Sequence, residues 1–385
     1  MTNTTLIEQI AREYIERLVL TSEPLNPKWN RENYIFKKKP KWNYMDSCMI
    51  RALLKYSEKT NDTRMIAYAV KFVNSYVNKN GDIPTMSAAD FNLDNICGGI
   101  NLIKLYKMIG DERYRLAYEK LYLEQLAKQP RLKCGCYWHK AIYPHQMWLD
   151  GAYMALPFLA EYGKINNKSD LISDAVEQLK CIRKIMRDSK SGLYYHGYNE
   201  TREMNWADKT TGLSSNFWLR SNGWLCAGLA DFYEITEDRF CRNMLLDLLE
   251  ALEACMTEEH MLMQLPAIPD IPGNYPETSG TLLYAYGAIK GYCLGAAEKK
   301  SADRGKASLN TVTERYIIHN NGIPVLKNIC LMGGLGGTSE RDGSAEYYLS
   351  ERIVENEAKG IAPYLMAASE LYSSSISKNT LLPDG

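Results

Sequence analysis

An excess of charge of either sign is missing from this chain. Lys plus Arg and Asp plus Glu number 46 each in 385 residues, so the formal net charge is zero. Nothing in that balance suggests nucleic acid or an anionic membrane surface as a partner, and neither is expected. A secretory leader is also missing. Met1-Thr2-Asn3-Thr4-Thr5-Leu6-Ile7 has neither the charged start nor the apolar run of a signal peptide, so a cytoplasmic location is expected. No apolar run suffices for a membrane span. The longest, Thr281 to Ala297, is broken by Lys290 and several glycines. Gly333-Gly334-Leu335-Gly336-Gly337 is not followed by Gly-Lys-Ser/Thr, so it is read as a flexible rim loop rather than a phosphate loop. There is no Gly-x-Ser-x-Gly elbow and no dinucleotide fingerprint.

A disulfide or metal framework is absent as well. The ten cysteines are scattered, mostly through apolar helical stretches, which reads as reduced, buried thiols. Cys134-Gly135-Cys136 with His139 hints at zinc, but no second Cys pair or matching His pair accompanies it. No metal and no cofactor is expected.

Helical periodicity is what the chain has in abundance. Ile7, Ile10, Tyr14 and Leu18, with Ala11 and Ile15, form one apolar stripe, and Trp42 to Tyr56 gives another helix. A unit then recurs: a helix end closed by an aromatic, a short polar turn, an acid placed to N-cap, and a fresh helix. Tyr56 leads to Asp62, Tyr106 to Asp111, Tyr162 to Asp170 and Tyr233 to Asp238. Ala285 to Ala297 looks like a late equivalent, and Pro363 to Tyr372 is a final helix. About six such hairpins fill the chain, and their uneven lengths favour a closed ring over a linear solenoid. The expected fold is all-α, an (α/α)6 barrel or toroid of about six helical hairpins, with residues 1–385 as one domain. The 27 Tyr and 7 Trp suit helix contacts in such a ring, and also stacking on carbohydrate. The connecting segments carry the unusual residues and would gather at one rim to build a pocket.

Asp150 stands out among them. Tyr143-Pro144 reads as a helix start. That places Asp150 about two turns into an apolar helix, on one face with Met147 and Met154. An acid there is costly unless it is paired or used. Desolvation is expected to raise its pKa, as suits a general acid. The alternative is a buried Asp capping a neighbouring helix or loop. Asp94 reads locally as an ordinary cap. In a closed ring, Asp94 and Asp150 would start successive inner helices and present two carboxylates to one pocket. Phe217, Arg220 and Trp224 fall on one helix face, with Trp218 near its start. An Arg among aromatics offers a fork for a carboxylate and flat faces for a sugar, although a structural Arg–acid bridge has the same signature. His139 and Lys140 add a donor and a cation. The set favours an anionic sugar.

Several blocks then occur together. They are His139-Lys140 with Met147-Trp148-Leu149-Asp150 and Met154-Ala155-Leu156-Pro157-Phe158, His196-Gly197-Tyr198 with Trp206-Ala207-Asp208, and Asn216-Phe217-Trp218-Leu219-Arg220 with Gly223-Trp224. Glu277-Thr278-Ser279-Gly280-Thr281 follows, then Asp342-Gly343-Ser344 with Glu346-Tyr347-Tyr348-Leu349-Ser350. In these blocks, which run from about Trp42 to the C-terminus, the chain resembles glycoside hydrolase family 105, the unsaturated rhamnogalacturonyl hydrolases. The resemblance implies an (α/α)6 barrel, a metal-free site, and a small unsaturated disaccharide or oligosaccharide from pectin as substrate. Its terminal 4,5-unsaturated galacturonic acid would be linked to rhamnose. The resemblance makes Asp150 the acid that protonates C4 and then helps deliver water to C5, with Asp94 as the second acidic position. It maps Tyr44, His139, Lys140, His196, Trp218, Arg220 and Trp224 to substrate contacts. Two other readings stand beside it. One is an unsaturated glucuronyl hydrolase acting on glycosaminoglycan or ulvan fragments; the other is a non-catalytic carbohydrate-binding toroid. The leaving sugar, the chain-length preference and the oligomeric state stay open, as does the role of loops 80–90, 266–277 and 333–343 in specificity.

Overall fold

The apolar stripes fold as helical hairpins, and the hairpins close into a ring. A computed structural model describes residues 3–379. Residues 1–2 and 380–385, which the expected domain includes, lie outside the described residues. In chain order the long helices are α1 (Asn3–Tyr14), α2 (Tyr44–Thr60), α3 (Arg64–Asn74), α4 (Gly99–Ile109), α5 (Glu112–Lys120) and α6 (Asp150–Ile165). The order continues with α7 (Ser169–Met186), α8 (Leu219–Thr236), α9 (Arg239–Ala254), α10 (Thr278–Cys293), α11 (Lys299–Thr311) and α12 (Ala358–Asn379). The even-numbered helices form the inner wall. Each packs against the next, and α12 packs back against α2, which closes the ring. Helices α3, α5, α7, α9 and α11 return along the outside as the second arm of each hairpin. Helix α1 comes round to back α12, where Tyr14 and Tyr364 meet edge to face with centroids 5.9 Å apart. This is the (α/α)6 barrel expected from the repeats.

Burial follows the layers. Helix α10 is buried continuously from Thr278 to Gly291 and α8 from Leu219 to Phe232, as helices surrounded by others must be. Outer helix α9 buries only a stripe, including Cys241, Met244, Leu245, Leu248 and Leu252. The α8–α10 seam needs small residues. A Cβ on Gly287 would lie 2.5 Å from Cys226 Sγ. Of the four recurring acids, Asp111 and Asp238 cap α5 and α9, accepting from Arg113 N at 2.9 Å and Cys241 N at 2.8 Å. Asp62 accepts from Arg64 N at 3.1 Å, whereas Asp170 lies inside the first turn of α7, whose N-cap residue Lys168 makes no side-chain cap.

Deeper along the inner helices, charge ties the wall together. Asp231 of α8 accepts from Arg51 of α2 at 3.0 Å, and from Lys290 and Tyr286 of α10 at 2.5 Å each. Lys55 of α2 reaches Glu370 of α12 at 2.7 Å. No helix among the described residues is long and apolar enough to cross a membrane.

Two local readings are corrected. Residues after Tyr143-Pro144 do not start a helix. Gln146–Trp148 form strand β1, which pairs antiparallel with β2 (Gly197–Asn199), Trp148 opposite Gly197. Helix α6 therefore begins at Asp150 itself, and Met147 is on the strand. A ladder to a segment distant in sequence satisfies the backbone that local periodicity assigned to helix. Phe217 likewise precedes α8 and packs on Tyr195, with centroids 4.5 Å apart. Two more antiparallel pairs complete the strands: β3 (Ile317–Asn320) with β4 (Ile323–Leu326), and β5 (Ile329–Cys330) with β6 (Ile353–Val354).

Candidate active site

The starts of the inner helices carry the chemistry. Tyr44 opens α2, Asp94 lies in the short helix Leu93–Ile96 ahead of α4, and Asp150 opens α6. Trp218 and Glu277 are the N-cap residues of α8 and α10, and Glu357 immediately precedes α12. Helix N-termini present free N–H groups and partial positive charge, which favours acids here.

Most of these acids are spent on structure. Glu277 accepts from Ser279 N at 3.1 Å, Gly280 N at 2.7 Å and Cys330 N at 3.0 Å. Glu357 holds Lys359 through its backbone N at 2.7 Å and its Nζ at 2.9 Å, and burial pushes its carboxyl up. Asp94 takes Lys140 Nζ at 2.6 Å, with His139 Nε2 at 3.5 Å. Asp150 differs. Its Oδ2 is buried with no hydrogen-bond partner among the described residues. The nearest group is His196 Nε2 at 3.2 Å, itself without a hydrogen bond. At that distance the two groups pair by charge. The other ring nitrogen, His196 Nδ1, is fixed 2.7 Å from Tyr348 OH. A buried acid at the edge of a cavity, with a buried histidine as its charge partner, is a candidate for a working group.

A cavity of about 490 Å³ opens in front of Asp150, walled by Tyr44, Asp94, His139, Lys140 and Trp148. Lys38, Lys41, Met332, Gly333, Gly334 and Arg341 also line it. Tyr143, Trp148 and His139 form a stack, with both neighbouring centroid separations 4.8 Å and interplanar angles of 16° and 13°. Backbone bonds hold this wall: His139 N donates to Gln146 O at 2.8 Å and Leu93 N to His139 O at 3.1 Å. The glycine-rich segment is tethered, not the free loop the sequence suggested. Gly334 N donates to Tyr347 OH at 2.8 Å and Gly336 N to Arg341 O at 2.8 Å. A Cβ on Gly333 would lie 2.7 Å from the Trp218 ring, so glycine is what lets this backbone rest on the indole.

His196, Trp218, Arg220 and Trp224 lie beneath this wall, each at most 2% exposed. Arg220 donates to Ser279 Oγ at 3.2 Å and to the Cys330 carbonyl, stands 4.5 Å over the Trp218 ring, and has Glu277 Oε1 4.0 Å away. Only Nη1 is engaged in this way; Nε and Nη2 are buried without a hydrogen-bond partner among the described residues, so part of the fork is left unpaired. Trp224 packs on Tyr153 and Tyr44, at 4.6 and 6.5 Å between centroids.

The electrostatics correct one expectation. Burial does push the Asp150 carboxyl up, but His196 and then His139 outweigh it, and the carboxyl is held below its ordinary value. Burial takes His139 down to about 4, so its ring is neutral at pH 7. Burial opposes the charge on Lys140, but Asp94 prevails and its pKa is raised. Burial foremost raises the Tyr44 phenol. Four residues of the site escaped the sequence reading of candidates. Tyr143 and Trp148 sit in the same aromatic run as His139, a signal that was present. Tyr348 stood in one of the blocks that carry the resemblance but was given no role, and Arg341 gave no signal; their segment lies between the paired strands β5 and β6.

A ring of helical hairpins, with acids, cations and stacked aromatics at one set of helix starts, defines a glycoside hydrolase of the (α/α)6 class. Residues 18–375 match Glycosyl Hydrolase Family 88, and the chain belongs to that family. It is similar to a solved glycoside hydrolase from family 105 of C. acetobutylicum ATCC 824 at 30% identity and a TM-score of 0.85, covering 97% of this chain and 100% of that one, which bears out the family 105 resemblance. Protein Atu3128 of Agrobacterium fabrum is 34% identical over 228 residues, 56% of this chain and 97% of that protein. The unsaturated rhamnogalacturonyl hydrolase YesR of Bacillus subtilis is 25% identical over 197 residues, 49% of this chain and 55% of that protein.

Proposed function

We propose that this glycoside hydrolase is an unsaturated rhamnogalacturonyl hydrolase. It would hydrate the 4,5 double bond of a terminal unsaturated galacturonic acid and release the linked rhamnose during pectin degradation. The observation that carries the reading is Asp150, which lines the cavity with its buried Oδ2 3.2 Å from His196 Nε2. The name carried by YesR supports the substrate class, and the family supports glycoside hydrolysis.

In the proposed reaction Asp150 gives its proton to C4, and positive charge develops at C5 and the ring oxygen. Water adds at C5, returning a proton to Asp150. The hemiketal so formed opens, and the neighbouring sugar leaves with a 4-deoxy-5-keto-uronate as the other product. The proton is available from the Asp150–His196 pair, 3.2 Å apart. The substrate's own carboxylate, bound beside Asp150, disfavours its ionised form and so counters the lowering seen in the free site. Lys140, and Arg341, which has no carboxylate partner among the described residues, are the cations placed to receive that carboxylate. The stack of Tyr143, Trp148 and His139 offers the sugar a flat face. Asp94 sets Lys140 and His139. Tyr44 closes the cavity, while His196, Trp218, Arg220 and Trp224 support the wall from below. The ten free thiols favour a reducing, cytoplasmic setting and a short imported substrate.

Asp150→Asn tests the reading on lyase-generated unsaturated disaccharides. The expected result is a loss of about 10²- to 10⁴-fold in the decay of the unsaturated uronate absorbance with the fold intact. Near-normal turnover by the variant would sink the assignment. Wild-type turnover of unsaturated chondroitin disaccharide, with none of the rhamnogalacturonan disaccharide, would move it to a glucuronyl hydrolase. Binding without turnover by the wild type would make it a binding toroid.

A further inference from the structure

Three thiols meet on the outer side of the ring, in a place the glycoside chemistry does not use. Cys134 and Cys136 flank Gly135 in a tight turn, and Cys181 projects from α7. The three Sγ atoms all lie within 4.8 Å of one another. The turn is closed by Leu132 N donating to Cys136 O at 2.8 Å and Gly135 N to Leu132 O at 2.9 Å. Gly135 has φ of 92°, a left-handed value that glycine takes without strain and that lets the chain reverse here. The turn is also clamped to α7. Arg131 makes a two-pronged pair with Asp174 at 2.8 and 2.7 Å, and Gln178 Oε1 accepts from Tyr137 N at 3.2 Å. Cys181 Sγ donates to Cys134 O at 3.1 Å, and Cys136 Sγ to Gln178 O at 3.7 Å. Cys136 is buried, while Cys134 and Cys181 are half-buried, so the cluster is reachable from solvent.

His139, the partner the sequence offered to Cys134 and Cys136, does not join. Its ring is stacked on Trp148 and faces Asp94. The third sulfur comes from α7 instead. We propose that Cys134, Cys136 and Cys181 form a binding site for a single thiophilic metal ion such as Zn²⁺, with solvent as the remaining ligand. Zn–S bonds of about 2.3 Å place tetrahedral sulfurs about 3.8 Å apart, so the three need close by no more than about 1 Å, within the reach of side-chain rotation. Three sulfur donors, with no carboxylate in the group, select a soft ion over magnesium or calcium. Binding releases the thiol protons to solvent and changes no oxidation state. The ion would pin the turn to α7 just ahead of His139 and Lys140, which continue from it into the cavity wall.

The test uses the full chain, reduced and stripped with a chelator, then titrated with Zn²⁺ and with Cd²⁺. The expected result is roughly one equivalent of metal retained through gel filtration, a raised melting temperature, and a thiolate-to-Cd²⁺ charge-transfer absorption in the ultraviolet. Cys136→Ser and Cys181→Ser should each lower affinity at least about tenfold and remove about a third of that absorption. Cys293→Ser, at an exposed cysteine at the end of α10, should change nothing. Should Cys136→Ser fail to fold, Cys134→Ser at the half-buried position gives the same readings. Retention below about a tenth of an equivalent, or equal retention by the wild type and the Ser variants, would overturn the proposal. So would a Cys134–Cys136 disulfide persisting in reductant. None of these readings depends on glycoside turnover.

Discussion

Tyr348→Phe removes one oxygen from beneath the site and little else. The hydroxyl is the partner of His196 Nδ1 at 2.7 Å. The ring itself is stacked on Trp218, 6.1 Å between centroids at 20°, and phenylalanine keeps that packing. His196 is fully buried, so no water replaces the lost bond without rearrangement. A buried polar atom left unpaired costs about 1–3 kcal/mol. Asp150 depends on the His196 ring for its placement and its proton, so that cost falls on the proton-transfer step. At 1.36 kcal/mol per tenfold, kcat drops about five- to 150-fold. Tyr348 does not line the cavity, so KM should stay close to the wild-type value. The assay is the decay of unsaturated uronate absorbance over a range of substrate concentrations, with a melting curve alongside. A kcat within about twofold of wild type, at an unchanged pH profile, would refute the idea that Tyr348 orients the catalytic pair.

Three further outcomes follow from the same geometry. Activity should decline as pH rises, because the Asp150–His196 pair must hold a proton to begin the reaction and the Asp150 carboxyl is already held low; a flat profile up to about pH 9 counts against Asp150 as the acid. Asp231→Asn leaves Arg51 and Lys290 buried without their carboxylate and should cost about 3–5 kcal/mol in denaturant unfolding. Burial opposes the charge on Asp231, but Lys290 and Arg51 prevail and lower its pKa. Its contribution is therefore present above the unfolded value of about 4 and lost as pH falls below it, and the variant should show a shallower acid limb; an equal slope in both proteins would contradict this. Gly333→Ala should lift the tethered segment off Trp218, at a cost of about 1–3 kcal/mol, and lower kcat/KM; unchanged kinetics would show that the segment yields freely.

The hairpins were legible because each is local. An apolar stripe, an aromatic end and a capping Asp lie within a few turns of one another, and Asp111 and Asp238 cap as their positions suggest. The closed ring could be inferred from the repeat, but the packing of α12 on α2 joins residues from opposite ends of the sequence. Misreadings at the site share that cause. Residues 143–149 look helical until β2, far along the chain, supplies a ladder for β1. The direction of the Asp150 shift could not be read without His196, which no spacing rule places beside it. Arg220 among aromatics suggested a fork, and the Cys330 carbonyl and Ser279 that engage its Nη1 come from other elements. Cys134 and Cys136 advertised a pair, while the third sulfur sits on α7.

Closure of the ring by α12 also sets an order of events during synthesis. Helix α2 leaves the ribosome early with one flank intended for a helix made almost last. Until α12 emerges, the α2 and α10 faces that it will cover stay unsealed, and Lys55 lacks Glu370. A nascent chain of this architecture is thus an open horseshoe with sticky ends, dependent on chaperones or on rapid completion. Trimming α12 would leave that horseshoe permanently, with both edges free to meet a second chain.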